Sequence, residues 1–375
     1  MSCPAGEIIA LLEEMAPPAW AEEWDNVGLQ AGSPRTPVDA VLVCLDLTAE
    51  TLEEARERGA GLAITHHPLI FRPLRSLAEG RIEADLLREV LSSGICVYAA
   101  HTNLDVSPLG VSAALAERLG LPEHRPLSPP PHGLHYKLVT FLPPGEVAAV
   151  SEALFAAGAG VIGDYTGCSF RLEGTGTFTP SPGAHPAYGE AGGPNEVAEV
   201  RLEVKVEGDR LEAALGALLS SHPYEEPAYD VYPLREVAVG AGLGRMGELR
   251  ERMRLEELAE RCSRELGNPA VRLAGDPDRK VSRVAVCGGS GGDLVPVAAR
   301  AGAEVLVTGD VSYHAARDAL ALGMAVIDAG HFHTERPVVG HLASLLAQRT
   351  EEAGLEVEVL ASESDTCPWS DGGVD

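Results

Sequence analysis

Three features are scarce in these 375 residues, and each scarcity removes a class of function. Basic side chains are few: 29 Lys and Arg stand against 56 Asp and Glu, a formal net charge of −27. Affinity for nucleic acid comes largely from Lys and Arg neutralising phosphates, so general DNA or RNA binding is disfavoured. Long apolar runs are missing, none approaching the ~20 residues of a spanning helix. Met1-Ser2-Cys3-Pro4-Ala5-Gly6-Glu7 also lacks the basic-then-apolar order of a secretory leader. The expectation is a cytoplasmic protein without a membrane segment. Cysteine is sparse and unpatterned, with seven residues at positions 3, 44, 96, 168, 262, 287 and 367 and no CxxC, which fits reduced thiols. Cys44, Cys96 and Cys287 sit inside strand-like runs and read as small core residues.

Against these gaps stands 45% apolar content, ample for two or three globular domains. The first third alternates strand and helix signals. Val41-Leu42-Val43-Cys44-Leu45 is an apolar strand, Thr48 an N-cap for a helix to Gly59, and Gly61-Leu62-Ala63-Ile64-Thr65 a strand running into His66-His67-Pro68. A helix from Glu83 to Ser93 leads to a strand at 95–100. Ser107-Pro108 then reads as N-cap and N1 of a helix through Leu119. The last third repeats the order from Val284 to Gln348, with Val284-Ala285-Val286-Cys287 matching Val41-Leu42-Val43-Cys44. In this duplication His66-His67 fall opposite Gly309-Asp310. The expected fold class is α/β: duplicated parallel-sheet halves forming one domain.

Between the halves, Pro126-Leu127-Ser128-Pro129-Pro130-Pro131 reads as a stiff linker outside any regular element. The stretch after it predicts the order β-α-β-β-α-β, a ferredoxin-like α+β insert, with Gly176 to Pro194 as an exposed loop. The expected boundaries are 1–125 for the first half, 126–236 for the insert and 237–375 for the second half.

The chemistry concentrates at strand ends. A histidine, three residues and a carboxylate occur twice at matching points, as His101-Thr102-Asn103-Leu104-Asp105 and His331-Phe332-His333-Thr334-Glu335, each after an apolar strand. Open α/β sheets bind ligands at the carboxyl ends of their strands. His66, His67, Asp105, His331 and Glu335 would there supply three nitrogen and two oxygen donors. That is too many for one tetrahedral ion with an open position, and suited to two. Glu335 precedes Pro337, a residue tolerated in a first helical turn, so a helix N-terminus would favour its ionised form. His101 and His333 read as groups that stand behind the ligands or move a proton. Trp24-Asp25-Asn26-Val27-Gly28-Leu29-Gln30 reads as a tight turn anchored by its Trp, with Asp25 and Asn26 making local Asx bonds. Gly288-Gly289-Ser290-Gly291-Gly292 has neither Walker nor GxGxxG spacing. It leaves a loose anion contact, or a weak G-x-S-x-G nucleophile match.

These stretches together resemble the NGG1-interacting-factor-like dinuclear metal-centre family, whose bacterial members are often labelled GTP cyclohydrolase type 2 homologues. The resemblance rests on Trp24 to Leu29, Thr65-His66-His67-Pro68, His101 to Asp105, Gly309-Asp310, and Asp328-Ala329-Gly330-His331 with Glu335. The middle, closing with His222-Pro223-Tyr224-Glu225-Glu226-Pro227-Ala228-Tyr229-Asp230, resembles the PII-like or divalent-cation-tolerance-like module of the longer members. The resemblance implies intertwined halves, a ring-like homohexamer, and two divalent metal ions per subunit held by His66, His67, Asp105, His331 and Glu335. Their identity stays open among Zn, Fe, Mn and Co, because these donors suit all four. The implied function is a metal-dependent hydrolase of a nucleotide or related heterocycle, in its sharpest form GTP cyclohydrolase-like. The alternative is a metal chaperone, or a regulatory protein that responds to metal or a small ligand without turnover.

Overall fold

The computed structural model describes residues 3–128, 135–181, 183–234 and 240–369. It divides into two compact units, Met1–Pro131 with Ala238–Asp375, and His132–Val237. The architecture is α/β, with separate sheets and helices packed on them.

The larger unit holds two sheets with parallel cores. In the first, Glu358–Ala361, Ala40–Cys44, Leu62–Thr65 and Cys96–Ala99 run parallel in that order, and Gly28–Ala31 closes the edge antiparallel. In the second, Lys280–Ser290, Val305–Gly309 and Ala325–Asp328 are parallel, while Arg272–Ala274, Leu243–Arg254 and His124–Ser128 are antiparallel. Purely parallel sheets are thus corrected to mixed ones. Ala40–Cys44, Leu62–Thr65, Cys96–Ala99, Val305–Gly309 and Ala325–Asp328 bury every residue, as their unbroken apolar runs require. The antiparallel additions are short or carry charges, as Leu243–Arg254 does, so apolar pattern alone hides them.

Two segments cross between the halves. Helix Pro337–Glu352 buries Val338, Val339, Leu342 and Leu346 among Ile8, Leu12 and Val41, and the strand after it pairs with Ala40–Cys44. In return His124–Ser128 joins the edge of the second sheet. The reading of 126–131 as a linker is therefore corrected for Pro126 to Ser128, because an edge strand tolerates a proline that a central strand would reject. Residues 129–131 lie outside the described residues. Arg245, fully buried, donates to the carbonyls of Gly242, Gly244 and Ser107, which ties the second sheet to the first half. Ser107 is not the N-cap of the helix expected through Leu119 but the C-cap of the short helix Thr102–Val106. Its hydroxyl donates to Met15 O at 2.7 Å, and the helix begins later, Val111–Arg118 with Gly110 as N-cap.

Helix Ala49–Glu57 is capped as its sequence predicts: Thr51 N donates to Thr48 Oγ1 at 3.2 Å and Thr48 N donates to Thr51 Oγ1 at 2.7 Å. From this helix Glu54 fastens the last strand's exit, accepting from Ser362 Oγ at 2.6 Å, Ser364 Oγ at 2.7 Å and Glu363 N at 2.9 Å. Burial would raise the Glu54 pKa, but these bonds and Arg58 bring it down to about 2. A carboxylate depressed in the folded state contributes stability above its unfolded pKa, and that stability is lost as pH falls through the folded value. Glu54→Gln is expected to cost at most about 3 kcal/mol at pH 7. Its difference from the parent in urea melts should shrink between pH 5 and pH 2.

The smaller unit has the order β-α-β-β-α-β over His135–Leu142, Val147–Ala156, Ser169–Phe178, Asn195–Glu207, Leu211–Ser221 and Tyr229–Leu234. Its sheet is antiparallel, ordered Tyr229–Leu234, His135–Leu142, Asn195–Glu207, Ser169–Phe178, with Leu138, Leu142, Val150, Leu154, Leu202 and Leu218 in the core. Gly176 to Phe178, expected in the loop, extend the strand by pairing with Val197 to Asn195, because ladder bonds need no side-chain pattern. Among the described residues no helix is long and apolar enough to cross a membrane.

Candidate metal centre

The carboxyl ends of the inner strands of both sheets in the larger unit meet. His66 and His67 directly follow Leu62–Thr65. His101 follows Cys96–Ala99 and N-caps the short helix Thr102–Val106, which carries Asp105. His331 opens helix His331–Glu335, so a spacing of four brings His331 Nε2 to 3.2 Å from Glu335 Oε1. His67 Nε2 lies 3.2 Å from Glu335 Oε2, and His66 Nε2 lies 3.6 Å from Glu335 Oε1 and 3.9 Å from Asp105 Oδ1. Glu335 does not start the long helix. It ends the short one, with Arg336 as N-cap of Pro337–Glu352, and three imidazoles rather than a helix dipole favour its charge.

The far side of each ring is already engaged. His66 Nδ1 meets Ala100 O at 2.9 Å, His67 Nδ1 meets Asp46 Oδ1 at 2.7 Å, His101 Nδ1 meets Asp25 Oδ1 at 2.8 Å, and His331 Nδ1 meets Asp310 Oδ2 at 2.7 Å. An acceptor on Nδ1 keeps the proton there and leaves the Nε2 lone pair for a metal. Asp310 does so with φ 51°, a positive value that Asp tolerates better than most residues. Asp310→Gly suits that backbone and removes only the acceptor. Metal affinity is expected to fall about 10- to 100-fold, read by competition with a chelating dye.

Two sets of donors each lie within 4.8 Å of one another, His66 with His67 and His101, and His67 with His331 and Glu335. Two of the inward atoms, His66 Nε2 and Glu335 Oε2, are buried without a hydrogen-bond partner. Buried polar atoms are normally satisfied, so such orphans ask for an ion, and the N/O donor set fits a divalent metal. Burial works against charge on Glu335, yet the nearby imidazoles of His331, His66 and His67 hold its carboxyl well below the usual range. Burial likewise opposes a proton on His67, but Asp46 and Glu335 push it up to about 10. The bond to Glu335 lifts His331 to about 9. Burial raises the Asp105 carboxyl. Both imidazoles hold a proton at pH 8, and a cation must displace it. Loading with a divalent ion in weakly buffered solution at pH 8 is expected to acidify the medium, read with an indicator dye.

The glycine tract serves this site sterically. Strand Lys280–Ser290 continues through Ser290, which pairs with Gly309, so there is no nucleophile elbow, and the helix after the tract is the short Val295–Ala301. Gly289 has φ 65°, and a Cβ there would meet Glu335 Oε1 and come within 3.3 Å of His331 Nε2. A Cβ on Gly309 would meet the His331 backbone.

All five expected donors, His66, His67, Asp105, His331 and Glu335, face this centre, with Asp105 at its margin and outside both groups. His101 stands among them rather than behind, its ring 5.2 Å from His66 and 5.6 Å from His67. His333 turns away. Two residues beyond His331 on the helix it points elsewhere, with Nδ1 3.3 Å from Leu266 O. The roles of Asp25, Asp46 and Asp310 do not show in the sequence, although Asp46 and Asp310 lie just beyond the carboxyl ends of parallel strands, the signal that marks the histidines. Trp24 is not an anchor. It is 60% exposed, and Asp25 reaches across to His101 and Thr102.

The chain matches the family Duf34/NIF3 (NGG1p interacting factor 3) over residues 4–368. A Bacillus subtilis protein named GTP cyclohydrolase 1 type 2 homolog is 41% identical over 364 residues, covering 97% of each chain. A Halalkalibacterium halodurans protein of the same name is 39% identical over 363 residues, again with 97% of each covered. The crystal structure of a Bacillus cereus protein related to NIF3 superposes with a TM-score of 0.70 at 39% identity, covering 99% of both chains. Similar in sequence and in fold across nearly its full length, this chain belongs to the Duf34/NIF3 family.

Proposed function

We propose that the protein is a hydrolase of a nucleotide or related heterocycle, of GTP cyclohydrolase-like type, working with two divalent ions per chain. One observation carries the reading: three imidazoles, His66, His67 and His331, each fixed from behind at Nδ1, turn Nε2 towards a buried, ionised Glu335, and His101, held at Nδ1 by Asp25, stands beside His66 and His67. His66, His67, Asp105, His331 and Glu335 would hold the ions, with Glu335 reaching both groups of histidines. A bound divalent pair supplies Lewis acidity and brings the pKa of water towards ~7. His101, with Asp25 behind it, is placed to carry a proton to or from a leaving group. Asp46 and Asp310 keep the other rings in the tautomer a cation needs. We also propose a homohexamer in the cytoplasm, with the smaller unit, His132–Val237, as a PII-like insert that takes up a regulatory ligand or partner.

The test is elemental analysis of protein purified without chelator, beside His66→Ala and Glu335→Ala, with GTP as the probe of turnover because the relatives bear that name. About two metals per chain, lost in both variants along with turnover, is the expected result. Metal without turnover would replace the hydrolase with metal delivery or metal-responsive regulation. No metal in any sample would overturn the site.

A further inference from the structure

The segment Trp24 to Gln30 is built more firmly than a turn needs. Asp25 binds His101 Nδ1 and Thr102 N, the latter at 3.0 Å. Asn26 Nδ2 donates to Ile70 O, Ile70 N donates to Gln30 Oε1 at 2.7 Å, and Gln30 Nε2 donates back to Asn26 O. The loop after His67-Pro68 is thereby stitched to this segment. The stitching holds the Phe71 ring at 6.0 Å and 74° to Trp24, and both rings meet His101, at 6.1 and 6.5 Å. Yet Trp24 is 60% and Phe71 48% exposed. Two large aromatic rings held in water by a hydrogen-bond network, beside an acid- and histidine-rich centre, mark a surface meant to be covered.

We propose that Trp24 and Phe71 form a stacking platform for the planar heteroaromatic ring of a small ligand whose polar end faces the metal centre. Calling that ligand a substrate rests on the hydrolase reading above. A flat ring fits better than an alkyl chain, because rings set near right angles offer a π-face and an edge, the two contacts that aromatic pairs prefer. Stacking on Trp accepts many heterocycles, since each has a π-face. His101 joins the two regions, with one edge against Trp24 and its ring beside His66 and His67.

The chain has three Trp, so Trp20→Phe with Trp369→Phe leaves Trp24 as the sole reporter. Guanosine and nicotinamide are titrated against its emission, with ribose as the non-planar control, and affinities are repeated by calorimetry in Trp24→Leu and Trp24→Phe. Quenching by both planar probes and not by ribose is expected. Affinity should weaken about 5- to 100-fold in Trp24→Leu and recover in part in Trp24→Phe, with metal content unchanged. Planar probes that bind to metal-loaded protein that does not turn over GTP would sink the hydrolase reading and leave the platform standing. Equal affinity in Trp24→Leu would overturn the platform, as would a Trp24 emission shielded from acrylamide in the ligand-free protein, the sign of a face covered by a second copy.

Discussion

Glu335→Gln is expected to strip the protein of metal while leaving it folded. Its carboxylate lies close to His66, His67 and His331, so it stands in one group of donors and beside histidines of the other. Gln keeps the shape and removes the charge that offsets a cation. Losing an outer hydrogen-bond partner typically costs 10- to 100-fold in metal affinity, so losing this central carboxylate should cost more than about 100-fold. The measurement is metal per chain together with the melting temperature, with and without chelator. A site-bound ion stabilises the parent, by about 2.7 kcal/mol at a free concentration 100 times Kd, and chelation should lower its midpoint. The variant should melt at one temperature in both conditions. A variant that keeps its metal would show that Glu335 is not a ligand.

Gly289→Ala should have nearly as large an effect from a residue that binds nothing. At φ 65° an alanine costs about 1–2 kcal/mol, which a chain of this size survives. The new methyl would meet Glu335 Oε1, so the carboxylate must swing away from His331 and His66. Circular dichroism is expected to be unchanged and metal content to fall to the level of Glu335→Gln. Full metal retention would mean that the strand shifts instead of the glutamate.

The two substitutions separate kinds of information. The carboxylate four residues after His331 was legible, because a helical spacing of four puts two side chains on one face whatever surrounds them. His66 and His67 were legible as the end of an apolar strand, and Thr48 as a cap. The contribution of Gly289 was not: a glycine run reads equally as a phosphate loop, an elbow or a void until the Glu335 side chain stands beside it. The Trp24 segment was legible only in part, since Asp25 makes the local bond that its sequence suggests, accepting from Asn26 N at 2.8 Å, but also binds residues 76 and 77 positions away.

What the chain determined locally was its strand-and-helix rhythm, the recurrence of that order in the outer thirds and the residue types available at each strand end, because periodicity and spacing act over a few residues. Tertiary structure decided everything that depends on distant pairing. The strand Glu358–Ala361 crossed to the first sheet, and His124–Ser128 to the second. Asp25, Asp46 and Asp310 each came to stand behind one imidazole, His101 moved in among the donors, and His333 turned out. Those outcomes are set by which long-range hydrogen bonds and buried contacts close together, a choice that no window of neighbouring residues contains.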